Sequence, residues 1–396
     1  MSSRRRGRRW WLLATVLVAV FAVTLDSAMP WAAPGAFSVQ LGASEGDVAL
    51  LVGAYFVTFP AGALTAGHLA SRLGARITLL LALAALATLS AGALVVDEPL
   101  QLVGLRAALG LAAGVVIGVA AIVVSPEFDG RERPCARTVW AAVSGVALAF
   151  GPFAAGVLLE RFTWQAIFLV SEPLLILALA LTAVLIPGRR AGTSARSILR
   201  CVGRPGGVNR ALPAVLASSA LGGLLYGAGL DLQRGFAGPA ETVVRLGATI
   251  VVFLVSGWLT ERATRATGGH LAAAVGLATA AAGFVILAGI NGPGPVSHLV
   301  ASTLVAAGAG PALGSSERLR DRAERHGRGA GTALVETLLH AGVGIGVFLS
   351  ALGPAGPSGL LNAAVLGAGG AVVIVGWLRV ARQPLRPRSA SPVRRA

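Results

Sequence analysis

Twelve apolar stretches follow one another along this chain, each close to the ~20 residues that a helix needs to cross a bilayer. They fall at about 10–31, 48–68, 77–96, 100–124, 138–159, 166–186, 211–230, 243–260, 271–290, 296–314, 330–352 and 359–379. Short polar segments separate them, marked by arginines and by Pro/Gly punctuation such as Asn291-Gly292-Pro293-Gly294-Pro295. Charged residues make up only 13% of the 396, about half the ~25% of a soluble domain, and the mean hydropathy is +0.77. So few charges cannot solvate a 39.8 kDa globule, which excludes a soluble two-domain enzyme. The chain is also too apolar for disorder and carries no collagen or heptad repeat. The expected fold class is an all-α polytopic membrane protein of twelve transmembrane helices.

The basic residues test that count. All 33 are arginine, against 17 acids, for a net charge of +16. With the N-terminus inside, 29 of them fall on the tails and the even-to-odd loops. Arg161, Arg234 and Arg245 fall outside, and Arg106 lies within a span. A missed helix would scramble this alternation, so both termini are expected in the cytoplasm. The same clustering makes the basic pI of 11.7 a topology signal, and no nucleic-acid partner is expected. The seven tryptophans lie near span ends, the positions of an interfacial belt. Cys135 and Cys201 both fall in basic loops, so neither a disulfide nor a metal site is expected. The run from Trp10 to Trp31 is too long for a signal-peptide core and reads as the first span.

The longest connection, 187–210, is basic and divides the chain into six spans and six. The expected organisation is an N-terminal six-helix half (1–186), a cytoplasmic central loop (187–210), and a C-terminal six-helix half with a basic tail (211–396). Such a 6+6 arrangement suggests two related halves around a midplane site. Abundant Gly and Ala in the spans fit close helix packing, and equally the sliding helices of a moving carrier.

After span two stands Gly67-His68-Leu69-Ala70-Ser71-Arg72-Leu73-Gly74-Ala75-Arg76. It is similar to the loop signature of the major facilitator superfamily, with Ser71 in place of an aspartate and Ala75 in place of a basic residue. After span eight, Gly257, Glu261, Arg262 and Arg265 repeat the pattern with the acid present. The resemblance implies loops that latch one conformation; taken alone, the same arginines would be orientation charges. Leu102-x-x-x-Arg106-x-x-Leu109-Gly110 in span four resembles the motif whose arginine is linked to proton coupling. Gly145, Gly151, Pro152 and Gly156 in span five resemble the antiporter signature, with Ala155 for one glycine. Trp164-Gln165-x-x-Phe168 and Leu25-Asp26 resemble further stretches of the superfamily's drug:proton antiporter branch.

Charges inside spans are costly and therefore functional candidates. Asp26, Arg106 and Glu172 sit ~8–9 Å below the outer ends of their spans, at 1.5 Å per residue, and so share one level. Two acids competing for one arginine would leave a carboxylate able to exchange a proton near neutral pH; a static ion-pair cluster is the alternative. In span eleven, Glu336 and His340 stand four apart on one face, with His340 near the midplane. His340 could relay protons or simply pack, and it stands just ahead of the small-residue pair Gly342 and Gly346. Phe56, Phe59, Phe150 and Phe153 are available as apolar wall, and Gln40, Tyr226 and Gln233 as polar groups near the outer openings.

The function these features suggest is proton-coupled export of a small amphipathic or drug-like molecule by alternating access. The alternative is proton-driven import of a metabolite in the same fold. No catalytic residue set, metal cluster or nucleotide loop is visible, so neither an enzyme nor ATP coupling is expected. The proton gradient would supply the energy, with no cofactor. The expected partners are the substrate, protons and membrane lipids, and the expected functional unit is a monomer.

Overall fold

The computed structural model describes residues 3–128, 130, 132–188, 208–233, 247–253, 255, 256, 259, 269–289, 295–314, 319–321, 323, 330–351, 361, 362, 364–373 and 375. Among these, regular structure is entirely helical. Backbone N–H and C=O groups have no water to bond in lipid, and a helix satisfies them within itself. The elements are α1 (Ser3–Ala28), α2 (Pro34–Leu41), α3 (Glu45–Leu73), α4 (Ala75–Gly92), α5 (Pro99–Val124) and α6 (Glu132–Leu159). They continue with α7 (Ala166–Leu169), α8 (Glu172–Leu185), α9 (Val208–Gln233), α10 (Gly269–Gly289), α11 (Pro295–Gly314) and α12 (Ala330–Ala351). Eight helices among the described residues are long and apolar enough to cross a membrane. Three shorter apolar helices, Ala211–Gly227, Leu299–Ala312 and Ala364–Val373, coincide with expected spans. Of the remaining stretch, 243–260, residues 247–253 are helical.

Two local departures from the sequence reading have physical causes. The stretch 166–186 is one apolar helical segment, Ala166–Leu185, whose hydrogen-bond ladder is interrupted at Val170-Ser171 while the backbone there stays right-handed helical. Pro173 has no N–H to give to the carbonyl four residues back, which accounts for the gap. The connection after span one is not a loop, since it contains α2, ended by the left-handed Gly42 (φ 69°). Ser44 then caps α3: its Oγ accepts from the Asp47 N–H at 3.2 Å, and Asp47 Oδ2 accepts from the Ser44 N–H at 3.0 Å.

Glycines set the helix crossings. On α5, Gly110, Gly114 and Gly118 recur every four residues and face α3. A β-carbon at Gly110 or Gly114 would run into the backbone of Tyr55 or Phe59, so these two helices pack with main chain nearly in contact. Gly342 and Gly346 of α12 do the same against Val215 and Ser219 of α9. Helix α12 also lies along α3, with Gly344 against Phe56 and Val347 near Gly53, which joins the C-terminal helices to the N-terminal ones. Leu81, Phe150, Phe153, Ile176 and Val184 remain exposed on the outside. That apolar girdle suits lipid, not water. The protein is a multi-pass membrane protein.

Candidate functional site

Arg106 lies on α5 where the stripe facing α1 and α3 is otherwise apolar, and its side chain is fully buried. Its NH1 reaches Asp26 Oδ2 of α1 at 3.4 Å and the Asp26 carbonyl at 3.5 Å. The guanidinium stands over the Tyr55 ring, 4.4 Å from its centroid, and 5.8 Å from that of Phe168. Tyr55, whose hydroxyl donates to the Val23 carbonyl at 3.4 Å, went unnoticed in the sequence because an aromatic on an apolar face reads as core. The pair is only partly satisfied: Arg106 Nε and NH2 and Asp26 Oδ1 have no hydrogen-bond partner. A buried, half-satisfied ion pair carries its desolvation cost without the full return, so little separates its paired and unpaired forms.

Glu172 forms no ion pair with Arg106. It stands at the first turn of α8, half-buried, with its carboxylate beside the Ala91 backbone of α4 and within electrostatic reach of Asp26. Depth along a helix placed it at the right level, but which neighbour its carboxylate meets depends on rotation about the axis, which depth cannot give.

One residue beyond Asp26 a cavity of about 290 Å³ begins, enclosed by α1, α3, α5 and α6 on one side and by α9, α12, Phe253 and Arg320 on the other. Thr24 and Ser27 of α1 and Phe56 of α3 line its deep end. From there it runs toward the end of the bundle where Arg9, Glu132, Arg137 and Asp321 meet. Glu336 and His340 of α12 both face it. The Trp140 Nε1–H donates to Glu336 Oε1 at 3.3 Å. His340 Nδ1 is 2.8 Å from the Glu336 carbonyl, which can only accept, so Nδ1 carries a proton. The same Nδ1 is 3.8 Å from Glu336 Oε2, and the ring lies flat on Phe59, centroids 3.5 Å apart.

Several sequence readings change here. Trp140 is not a belt residue: it is 8% exposed and turned into the cavity. Trp31 and Trp164 are likewise buried, Trp31 donating to the Ser27 carbonyl at 3.0 Å. Phe56 lines the cavity and Phe59 supports His340, whereas Phe150 and Phe153 face outward and cannot serve as its wall. Gln40 accepts from the Trp164 N–H at 3.0 Å, and Tyr226 donates to the Glu45 carbonyl at 3.4 Å; neither lines the cavity. The side chain of Gln233 falls outside the described residues. Missing from the sequence reading was the stripe Arg133, Arg137, Trp140, Ser144 and Leu148, all of which line the cavity. Its spacing of four, three, four and four marks one helix face, a legible signal hidden by assigning the arginines to a loop.

The model of the Major Facilitator Superfamily matches residues 12–347, most of the chain. The protein belongs to the Major Facilitator Superfamily. Curated relatives include the methyl viologen resistance protein SmvA of Salmonella typhimurium, 28% identical over 186 residues, which are 47% of this chain and 37% of that protein. The tetracenomycin C resistance and export protein of Streptomyces glaucescens is 30% identical over 196 residues, 50% of this chain and 36% of its own. The puromycin resistance protein pur8 of Streptomyces alboniger is 31% identical over 258 residues, 64% of this chain and 48% of its own. The matches thus span between about a third and half the length of these relatives.

Among the superfamily's loop residues, Gly74 takes the positive φ of 91° that lets α3 turn directly into α4. Arg76 donates to the Ala183 carbonyl in the last turn of α8, the cation-to-helix-end contact that the signature implies. Arg72 is exposed, and Gly67 is buried in α3. Gly257, Glu261, Arg262 and Arg265 lie outside the described residues. Among the described residues at this end, Arg137 of α6 pairs with Asp321 of the C-terminal part at 2.9 Å. Arg9 of α1 pairs with Glu132 of α6 at 2.9 Å. In the span-five motif, Gly151 receives Ala28 and Leu25 of α1, Gly145 lines the cavity, and Gly156 faces open space. Pro152 continues within α6, where its missing N–H loosens the ladder beside the cavity.

Proposed function

We propose that this superfamily member is a twelve-span carrier of two six-helix halves that exports a small amphipathic or drug-like molecule in exchange for protons. The observation that carries this reading is the cavity between the N-terminal and C-terminal helices, with the buried Asp26–Arg106 pair one residue beyond its deep end. A transporter needs a site that either face can reach in turn, and an antiporter needs a protonatable group near it. Asp26 is the primary proton site, Arg106 its counter-ion, and Glu336 with His340 a second pair inside the cavity. Glu172 is left as a subsidiary candidate on the α4 side. Drug-resistance names among the relatives favour export. The proton gradient supplies the energy, and no cofactor takes part.

With this orientation both termini and the 187–210 loop are cytoplasmic, and the cavity opens from the cytoplasmic end. Tyr226 on Glu45 and the packing of Met29–Ala32 against α6 and α9 then close the outer end. An epitope tag inserted after Arg388 is expected to label only in permeabilised cells; labelling of intact cells would reverse the topology. Export is checked by accumulation of a fluorescent drug in cells expressing the protein. A protonophore is expected to raise retention to the level of cells without it. A fall in accumulation would instead mark an importer.

A further inference from the structure

If Asp26 takes up and releases a proton, a reading on which this inference rests, Arg106 loses its counter-ion each time the carboxyl is neutral. A fully buried guanidinium then needs a second partner, since an unpaired charge away from water is costly. Hydrogen bonds do not supply it. NH1 stands 3.4 Å from Asp26 Oδ2 and 3.5 Å from the Asp26 carbonyl, both beyond the ~2.7–2.9 Å of a close charge-assisted bond. Nε and NH2 have no hydrogen-bond partner. Asp26 of α1 and Tyr55 of α3 act electrostatically on the guanidinium, whereas Glu172 of α8 acts on Asp26.

Aromatic rings do supply it. The guanidinium carbon lies 4.4 Å from the Tyr55 centroid and 5.8 Å from that of Phe168, within the ~6 Å over which a ring face attracts a cation. Both rings are fully buried, the setting in which that attraction is largest. They are also held in place without Asp26. Gly110 of α5 lies against the Tyr55 main chain, and Thr58 Oγ1 of α3 donates to the Ala107 carbonyl of α5 at 2.7 Å, so ring and arginine share one helix crossing. The Tyr55 hydroxyl donates to the Val23 carbonyl. Phe168 is braced by Trp164, edge to face with centroids 6.0 Å apart, and Trp164 in turn by Phe37 at 6.0 Å. None of these contacts uses a carboxylate, so neutralising Asp26 leaves them standing.

We infer that Tyr55 and Phe168 are positioning residues that hold the Arg106 cation by their ring faces, so that Asp26 can become neutral while the arginine keeps its seat. A ring face suits this role because it attracts the cation without offering a charge that would compete with the carboxylate when it ionises again.

The test is a set of thermal midpoints measured on the purified full chain in detergent, with Asp26→Asn standing for the neutral carboxyl. Tyr55→Leu removes the ring, and the drop it causes is expected to be about 2–4 °C larger in the Asp26→Asn background than in the parent. The excess should vanish when Arg106→Gln is added, because no cation is left to hold. Tyr55→Phe keeps the ring and should show no excess; an excess there would assign the effect to the hydroxyl and overturn the inference. Phe168→Leu should behave as Tyr55→Leu does, with a smaller excess. Equal drops for Tyr55→Leu in parent and Asp26→Asn would mean that the ring only packs, which overturns the inference and leaves Asp26 as the proton site. Where Tyr55→Leu/Asp26→Asn fails to accumulate, recovery of folded protein on adding Arg106→Gln supports the inference, and no recovery overturns it. Efflux tests the underlying reading separately: drug resistance retained by Asp26→Asn would remove Asp26 as the proton site, and the inference with it.

Discussion

Arg106→Ala is expected to abolish efflux while the protein remains inserted in the membrane at near-normal levels. The arginine is fully buried, and its ionic partner is Asp26 at 3.4 Å. Removing one member of a buried pair typically costs about 3–5 kcal/mol, because a charge is stranded. Here the stranded group is a carboxylate, which can take up a proton and become neutral, so the loss of stability should be the smaller part of the effect. Transport should suffer far more, since a carboxylate without its counter-ion no longer alternates between a paired and a protonated form. Asp26→Asn alone should lose transport too. The double variant Arg106→Gln/Asp26→Asn separates the two roles. It should recover the thermal midpoint of the parent, measured by size-exclusion chromatography in detergent, and still not confer drug resistance. Resistance restored in the double variant would mean that the pair serves packing alone.

Gly114→Val should prevent accumulation of folded protein. An added β-carbon at Gly114 would stand 2.7 Å from the Ala63 nitrogen and 3.0 Å from the Phe59 carbonyl carbon, both backbone atoms that cannot rotate away. Overpacking of this kind usually costs about 1–3 kcal/mol. The expected cost is at the upper end or beyond, because valine adds two methyls where the contact is main chain on main chain. The displacement would also reach the ion pair, as Tyr55 and Arg106 belong to the same two helices. Gly104→Ala is the control: nothing lies within 4 Å of a β-carbon there, and yield and thermal midpoint should be unchanged. An unaltered elution profile for Gly114→Val would mean that α3 and α5 do not cross as described.

Much of the membrane architecture was legible without coordinates. A bilayer asks for runs of ~20 apolar residues, and it does so residue by residue, with no reference to what the helix touches. Element boundaries followed closely where charge or proline marked them, as at Pro99 for α5. What they did not show was the gap in the hydrogen-bond ladder at Val170-Ser171, inside a segment that runs from Ala166 to Leu185 as expected, because a proline within an apolar run removes a donor without fixing where the helix ends. Candidate acids and the buried arginine were also legible, since intramembrane charge is rare enough to stand out.

By itself, then, the sequence determined that the chain lies in a membrane, roughly where its helices run, and that Asp26, Arg106, Glu336 and His340 must find partners there. Only the tertiary structure decided who those partners are. It joined Arg106 to Asp26 and left Glu172 beside Ala91. It gave Glu336 to Trp140, turned two of four phenylalanines outward, and brought Arg137 across to Asp321. The reason is geometric. Hydropathy and depth are one-dimensional properties read along the chain, whereas a contact depends on rotation about each helix axis. That rotation is set by which glycines let two backbones meet, a property of helix pairs that no single span contains.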